Sequence, residues 1–259
     1  MGAESARVGS VSRGRGRGLP ILRARGPVRL AATVHRTDSA AGRTAELALR
    51  RPNGSDPRMA AGARPFRVTV YASSSERIAR PYFDVAEDLG RRIAERGWEL
   101  VWGGGRYGLM GAVSRGARAA GGTLRGVILQ QFIDKNVHCD ATLHMESVTD
   151  MRLRKRGLDE AGDAYVALPG GLGTLEEVLE ILSFKQLGFH GKPVVLLNAA
   201  GYWDPLLAML ERGFAEGFVQ DHFRGIYTVA ADPAAAIAQI EGPATWPPAR
   251  RDARGGGTA

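Results

Sequence analysis

The sequence predicts an α/β domain built on a doubly wound parallel sheet, and three observations carry that expectation. Short apolar or alternating runs recur between amphipathic helical stretches. Three turns rich in glycine or serine each follow such a run and precede a helix. The alternation is confined to residues 65–241, a length that suits a single domain with a buried core.

Residues 66–72 alternate with β-branched side chains and read as the first strand. A helix over 79–96 follows, with Tyr82, Val85, Ala86, Leu89 and Ile93 on one stripe, and Gly97 closes it as a glycine just past a helix end does. Residues 98–102 form a second strand that enters the turn 103–111, and the next helix ends at Gly121 and Gly122. A third strand occupies 124–129, and 130–149 reads as irregular. Asp150 opens a short helix through Leu158. Residues 164–168 are a strand, and the turn 169–174 leads into a helix reaching Leu187. A strand at 193–197, a helix over 203–216, a strand near 225–229 and a helix over 233–240 complete the pattern. In such sheets ligands bind outside the carboxyl ends of the strands. The three turns at 72–75, 103–111 and 169–174 all fall at that end.

Charge separates the domain from its flanks. The 259 residues carry a net charge of +8, yet residues 1–64 hold 13 Arg against four acids, and residues 242–259 hold three Arg against Asp252. Residues 65–241 carry 19 basic and 22 acidic side chains, so the body is mildly acidic. The Arg/Gly-rich segment 1–64 lacks the apolar surface to offset chain entropy and is expected to be a disordered basic extension. Residues 1–58 are read as an over-extended gene start, with Met59 close to the first strand, and 242–259 as a flexible tail. No run of about 18 apolar residues occurs, so a membrane is not an expected partner. The single Cys139 excludes an intrachain disulfide and fits a cytoplasmic setting.

Pro169-Gly-Gly-Leu-Gly-Thr174 joins a buried strand to a helix start. Its glycines let backbone N–H groups approach a ligand closely, and the helix N-terminus presents roughly half a positive charge. Thr174 is expected to cap the helix and to donate its hydroxyl. A plain turn needs one glycine, not three, so an oxyanion such as phosphate is the expected occupant. Gly103-x-Gly105-x-x-Gly108 has the form of a dinucleotide fingerprint, but the next strand ends in Gln130-Gln131 with no carboxylate to hold a ribose. NAD is therefore not expected, whereas a mononucleotide is. Ser73 and Ser74 offer hydroxyls at the first turn. Residues 151–156 carry four cations, and Glu177 is placed in the first turn of its helix, where the dipole should keep it ionised. Glu176 is its neighbouring competitor. His138, Cys139, Asp140 and His144 lack the spacing of a metal site, so no metal is expected.

Val70-Tyr-Ala-Ser-Ser74, Trp102-Gly-Gly-Gly105, Gly108-Leu-Met-Gly111, Met151-x-x-Arg154-Lys155 and Pro169-Gly-Gly-x-Gly-Thr-x-x-Glu177 together resemble, in order, the Lonely Guy family. These are cytokinin riboside 5′-monophosphate phosphoribohydrolases, long mislabelled as lysine decarboxylase-like. The resemblance implies a Rossmann-like homo-oligomer, taken to be a homodimer, with no cofactor. It implies hydrolysis of the N-glycosidic bond of a purine nucleoside 5′-monophosphate, AMP or an N6-prenylated AMP. Carried over by motif, Arg154 and Glu177 are the catalytic pair with Lys155 adjacent. Gly170, Gly171, Gly173 and Thr174 cradle the phosphate, and Gly104, Gly105 and Met110 line the nucleotide pocket. Tyr-Ala-Ser-Ser stands where the family has Cys-Gly-Ser, and Arg152 where it has His. A decarboxylase would need a pyridoxal-bearing lysine, and none of the four lysines stands in a recognisable cofactor motif. Two other classes stay open: a nucleotide sensor or carrier that does not cleave its ligand, and an RNA binder acting through the basic tail. Nucleic acid is the least expected partner.

Overall fold

The computed structural model describes residues 64–139 and 144–243. The readings made for 1–63, for Asp140 and for 244–259 lie outside the described residues. Seven parallel strands form one sheet in the order β4-β3-β2-β1-β5-β6-β7. They are β1 (Arg67–Tyr71), β2 (Glu99–Trp102), β3 (Leu124–Leu129), β4 (His144–Val148), β5 (Ala164–Ala167), β6 (Val194–Leu197) and β7 (Thr228–Ala230). The helices are α1 (Arg80–Glu95), α2 (Gly108–Ala119), α3 (Gln130–Asp134), α4 (Met151–Ala161), α5 (Leu172–Gln186), α6 (Asp204–Ala215) and α7 (Pro233–Glu241).

Strands β1, β2, β3, β5 and β6 are buried along nearly their whole length because helices cover both faces. On one face Val68, Val70, Leu100 and Trp102 pack against Leu89 and Ile93 of α1, Leu109 and Val113 of α2 and Ile237 of α7. On the other face Tyr71, Val101, Val127 and Tyr165 pack with Leu158 of α4, Val178 and Ile181 of α5, and Trp203. The chain winds outward from β1 through β2 to β4, then returns by α4 to β5 on the other side of β1. Strand order therefore reverses between β1 and β5, the place where open α/β sheets bind ligands.

Most expected elements are present, with ends shifted by one to three residues. The region read as irregular contains α3 and β4. Strand β4 is an edge strand in register with β3 from Arg125↔His144 to Leu129↔Val148, and its side chains are exposed or half-buried. An edge strand that covers little core has no need of an apolar run, so His-Met-Glu-Ser-Val gives no periodic signal. The last strand begins at Thr228 rather than Gly225, because Ile226 N–H donates to the Phe223 carbonyl (3.0 Å) in a turn.

Candidate active site

Four segments converge at the carboxyl edge where strand order reverses. The Ser73 amide donates to the Pro169 carbonyl (3.4 Å), tying the loop after β1 to the turn after β5. The Ser73 carbonyl accepts from the Met110 amide (3.2 Å), tying the same loop to α2. Gly108 makes this approach feasible: its φ is +58°, and a Cβ there would lie 2.5–2.7 Å from the backbone of residues 73–75.

Helix α4 starts at the same edge. Asp150 caps it, Oδ1 accepting from the Arg152 and Leu153 amides at 2.8 and 3.0 Å, as expected of that residue. One turn in, Arg154 is 8% exposed and reaches the turn that follows β2. Its Nη1 lies 3.2 Å from Glu177 Oε1 on α5, and its Nη2 lies 3.5 Å from the Gly103 carbonyl. Gly103 makes room for it, since a Cβ there would stand 2.0 Å from Nη2. Arg154 Nε is buried with no partner among the described residues, so one donor of the group remains to be satisfied.

Glu177 is the sixth residue of α5 and lies in its second turn, beyond the reach of the helix dipole. This corrects the expectation that the dipole keeps it ionised. Burial pushes its carboxyl up to about 7, against the pull of the Arg154 charge and hydrogen bond. Glu176, adjacent on α5, points away toward Lys155 Nζ at 2.8 Å. Lys155 also meets Glu180 Oε2 at 3.1 Å, and the Glu176 hydrogen bond holds its ammonium above the ordinary range. Lys155 thus clamps α4 to α5, and the structure does not bring it to the Arg154–Glu177 pair.

The start of α5 is uncapped. Gly171 is the cap residue, no side chain among the described residues caps the helix, and Thr174 sits inside it, buried and in contact with Gly170. The expected capping role of Thr174 is therefore wrong. Gly171 and Gly173 face open space: a Cβ on either would have no neighbour within 4 Å. Tyr202, which sequence reasoning did not single out for the site, pins the turn by donating its hydroxyl to the Gly170 carbonyl (2.7 Å). Across the site, Met110 overlies Gly103 and Gly105, while Met145 and Ile128 pack on Gly104. Residues 137–139 are strapped to this turn, the Cys139 amide donating to the Gly104 carbonyl (2.9 Å) and the Arg106 amide to the Val137 carbonyl (3.1 Å). The backbone of Ser73, next to Ser74, thus links Met110 of α2 to the turn carrying Gly170, Gly171, Gly173 and Thr174, while Gly104 and Gly105 follow the Gly103 that Arg154 contacts.

A protein-family model described as "Possible lysine decarboxylase" matches residues 110–240. A probable cytokinin riboside 5′-monophosphate phosphoribohydrolase of Oryza sativa subsp. japonica is 41% identical over 175 residues, covering 68% of this chain and 77% of that protein. The cytokinin riboside 5′-monophosphate phosphoribohydrolase of Rhodococcoides fascians is 43% identical over 182 residues, covering 69% of this chain and 91% of that protein. The chain belongs to the cytokinin riboside 5′-monophosphate phosphoribohydrolase family. Like other members of this phosphoribohydrolase family it is an enzyme of the α/β class. Among solved structures, the molybdenum cofactor carrier protein of Chlamydomonas reinhardtii matches with a TM-score of 0.54 and 29% identity, covering 69% of this chain and 97% of that one. The molybdenum cofactor binding protein of Rippkaea orientalis matches with a TM-score of 0.54 and 27% identity, covering 69% of this chain and 96% of that one. The phosphoribohydrolase family thus shares its fold with proteins that carry a ligand.

Proposed function

We propose that the chain hydrolyses the N-glycosidic bond of a purine nucleoside 5′-monophosphate, giving free base and ribose 5-phosphate. The observation that carries this reading is the buried Arg154–Glu177 pair set beside the uncapped, glycine-lined start of α5. The 5′-phosphate would sit on the first amides of α5, against Gly171 and Gly173, with the ribose toward Glu177. Cleavage separates the base from C1′ through an oxocarbenium-like state, water supplies the new C1′ oxygen, and the departing base takes up a proton. The Glu177 carboxylate opposes the developing positive charge and accepts a proton from the attacking water. Its proton affinity near neutrality suits both uptake and release. Arg154 holds that carboxylate and keeps one buried N–H for the substrate. Lys155 contributes by bracing α4 on α5.

A second reading, a carrier that binds its ligand without cleaving it, draws support from the carrier proteins of the same fold. Chromatography of AMP and N6-isopentenyl-AMP, each incubated with the protein, separates the two. Hydrolysis predicts free base and ribose 5-phosphate in equal amounts, and the ratio of the two rates gives the preferred base. Tight calorimetric binding with no base released over hours would favour the carrier.

A further inference from the structure

The turn after β5 is gripped by the loops of both neighbouring strands, β1 on one side and β6 on the other. The Ser73 amide, after β1, donates to the Pro169 carbonyl (3.4 Å), and the Tyr202 hydroxyl, after β6, donates to the Gly170 carbonyl (2.7 Å). A tyrosine hydroxyl can serve only to tie two elements together, as that of Tyr71 does by donating to Asp159 Oδ1 (2.7 Å) and joining β1 to α4. Tyr202 differs in what its bond fixes. The Gly170 carbonyl and the Gly171 amide belong to one planar trans peptide, so they point in opposite directions. Holding the carbonyl on the Tyr202 side therefore turns the Gly171 N–H the other way. Among the described residues no acceptor meets that N–H.

The residues of the turn cannot supply this stiffness themselves. Gly170 must lack a side chain, since a Cβ would stand 2.1 Å from Thr174 Oγ1. Gly171 lacks one where nothing lies within 4 Å, which leaves space for a ligand. A peptide between two glycines rotates more freely than any other, and rotation here would present an anion with a carbonyl oxygen instead of an N–H. The loop carrying Tyr202 is itself fixed. Asn198 Oδ1 accepts from the Trp203 amide (2.7 Å), and Asn198 Nδ2 donates to Asp204 Oδ1 (2.7 Å). Between them Ala200 and Gly201 are left-handed, with φ of +51° and +71°, an unfavourable conformation for the alanine. The Tyr202 ring meets Tyr82 of α1 and buried Trp203 edge to face, at centroid distances of 6.2 and 5.1 Å. Trp203 Nε1 in turn donates to the Ala167 carbonyl at the end of β5 (3.3 Å). We propose that Tyr202 is a positioning residue for the 5′-phosphate: its hydroxyl holds the Gly170–Gly171 peptide in the orientation that offers the Gly171 N–H to the anion. Tyr202 thereby sets affinity for the phosphate end of the substrate and not for the base. This role rests on the phosphate lying at the start of α5, as proposed above.

Two ligands that cannot be cleaved separate the two ends of the substrate. The full-length protein, labelled with 15N at glycine, is titrated by NMR with ribose 5-phosphate and, separately, with adenine; the Gly171 amide is assigned by the signal missing in Gly171→Ala. Ribose 5-phosphate should move the Gly171 signal of wild type. In Tyr202→Phe, which keeps the ring and removes the hydroxyl, the ribose 5-phosphate midpoint should rise threefold or more, as loss of one hydrogen bond requires, while the adenine midpoint stays within about twofold. Steady-state KM for AMP should rise by the same factor with kcat within about threefold. A smaller rise for ribose 5-phosphate in the folded variant, or an equal rise for adenine, overturns the proposal. Asp204→Ala loosens the same loop from outside the turn and serves if Tyr202→Phe fails to fold; it should raise the ribose 5-phosphate midpoint in the same direction, and a wild-type midpoint there overturns the proposal. A wild-type Gly171 signal that ribose 5-phosphate leaves unmoved would place the phosphate elsewhere and remove both this role and the substrate placement. Absence of base release from AMP, with the titrations as expected, would count against hydrolysis alone.

Discussion

Burial of Glu177 against Arg154 leaves a thermodynamic trace at the scale of the single residue. Its carboxyl is raised from an ordinary value of 4.5 to about 7, so the folded protein holds a proton that the unfolded chain releases. The native state is favoured fully below 4.5, loses stability as pH rises from 4.5 to 7, and loses no more above 7. Glu177→Gln removes this slope. Urea unfolding at pH 5 and pH 8 should show wild type losing on the order of 1–3 kcal/mol more than the variant between the two. The neighbouring cation behaves differently: Lys155→Met, which breaks only the Glu176 and Glu180 contacts, should lower thermal stability while leaving kcat within about threefold. Arg154→Met should abolish turnover, since it removes the cation that pairs with Glu177. The identities of Arg154 and Glu177 were legible as residues of two motifs 23 positions apart. The protonation of Glu177 was not, because it depends on how deeply a helix is buried rather than on its neighbours in sequence. The Tyr71–Asp159 contact was invisible for a similar reason, joining residues 88 positions apart in sequence.

At the scale of elements, the two glycine-bearing turns divide into positions that build the fold and positions that leave space. Gly108 belongs to the first kind. Gly108→Ala forces a left-handed residue against the 73–75 backbone and should cost about 1–3 kcal/mol or more in a denaturant titration. Gly173 belongs to the second. It sits in the first turn of α5 with nothing near its Cβ position, so Gly173→Ala should raise stability by about 0.5–1 kcal/mol through helix propensity. The same variant should raise KM tenfold or more if a phosphate rests there, as steady-state kinetics would show. An unchanged KM would move the phosphate elsewhere. The strand–turn–helix order of both motifs was readable from apolar runs interrupted by glycine. The cap of α5 was misread because Thr174 looks like a capping residue, whereas Gly171 and Leu172 already begin the helix. Strand β4 was missed because edge strands carry no obligatory apolar pattern.

For the whole molecule, the net charge of +8 describes the flanks and not the catalytic body, whose residues 65–241 are acidic by three charges. The order of strands, which reverses beside β1, was legible only as an α/β class; the sequence contains no statement of which strand neighbours which. That reversal is what brings motifs from residues 73–74, 103–110, 154 and 170–177 to one edge. A chain beginning at Met59 should match the full-length protein in melting temperature and in kcat/KM, because every residue assigned to the site lies beyond it. The most direct test of the account is the release of base and ribose 5-phosphate from AMP by wild type and Glu177→Gln, with calorimetric binding of AMP measured on both. Wild type should hydrolyse AMP, and the variant should bind it within about threefold while its kcat falls roughly a thousandfold or more. Hydrolysis by Glu177→Gln within about twofold of wild type would contradict it.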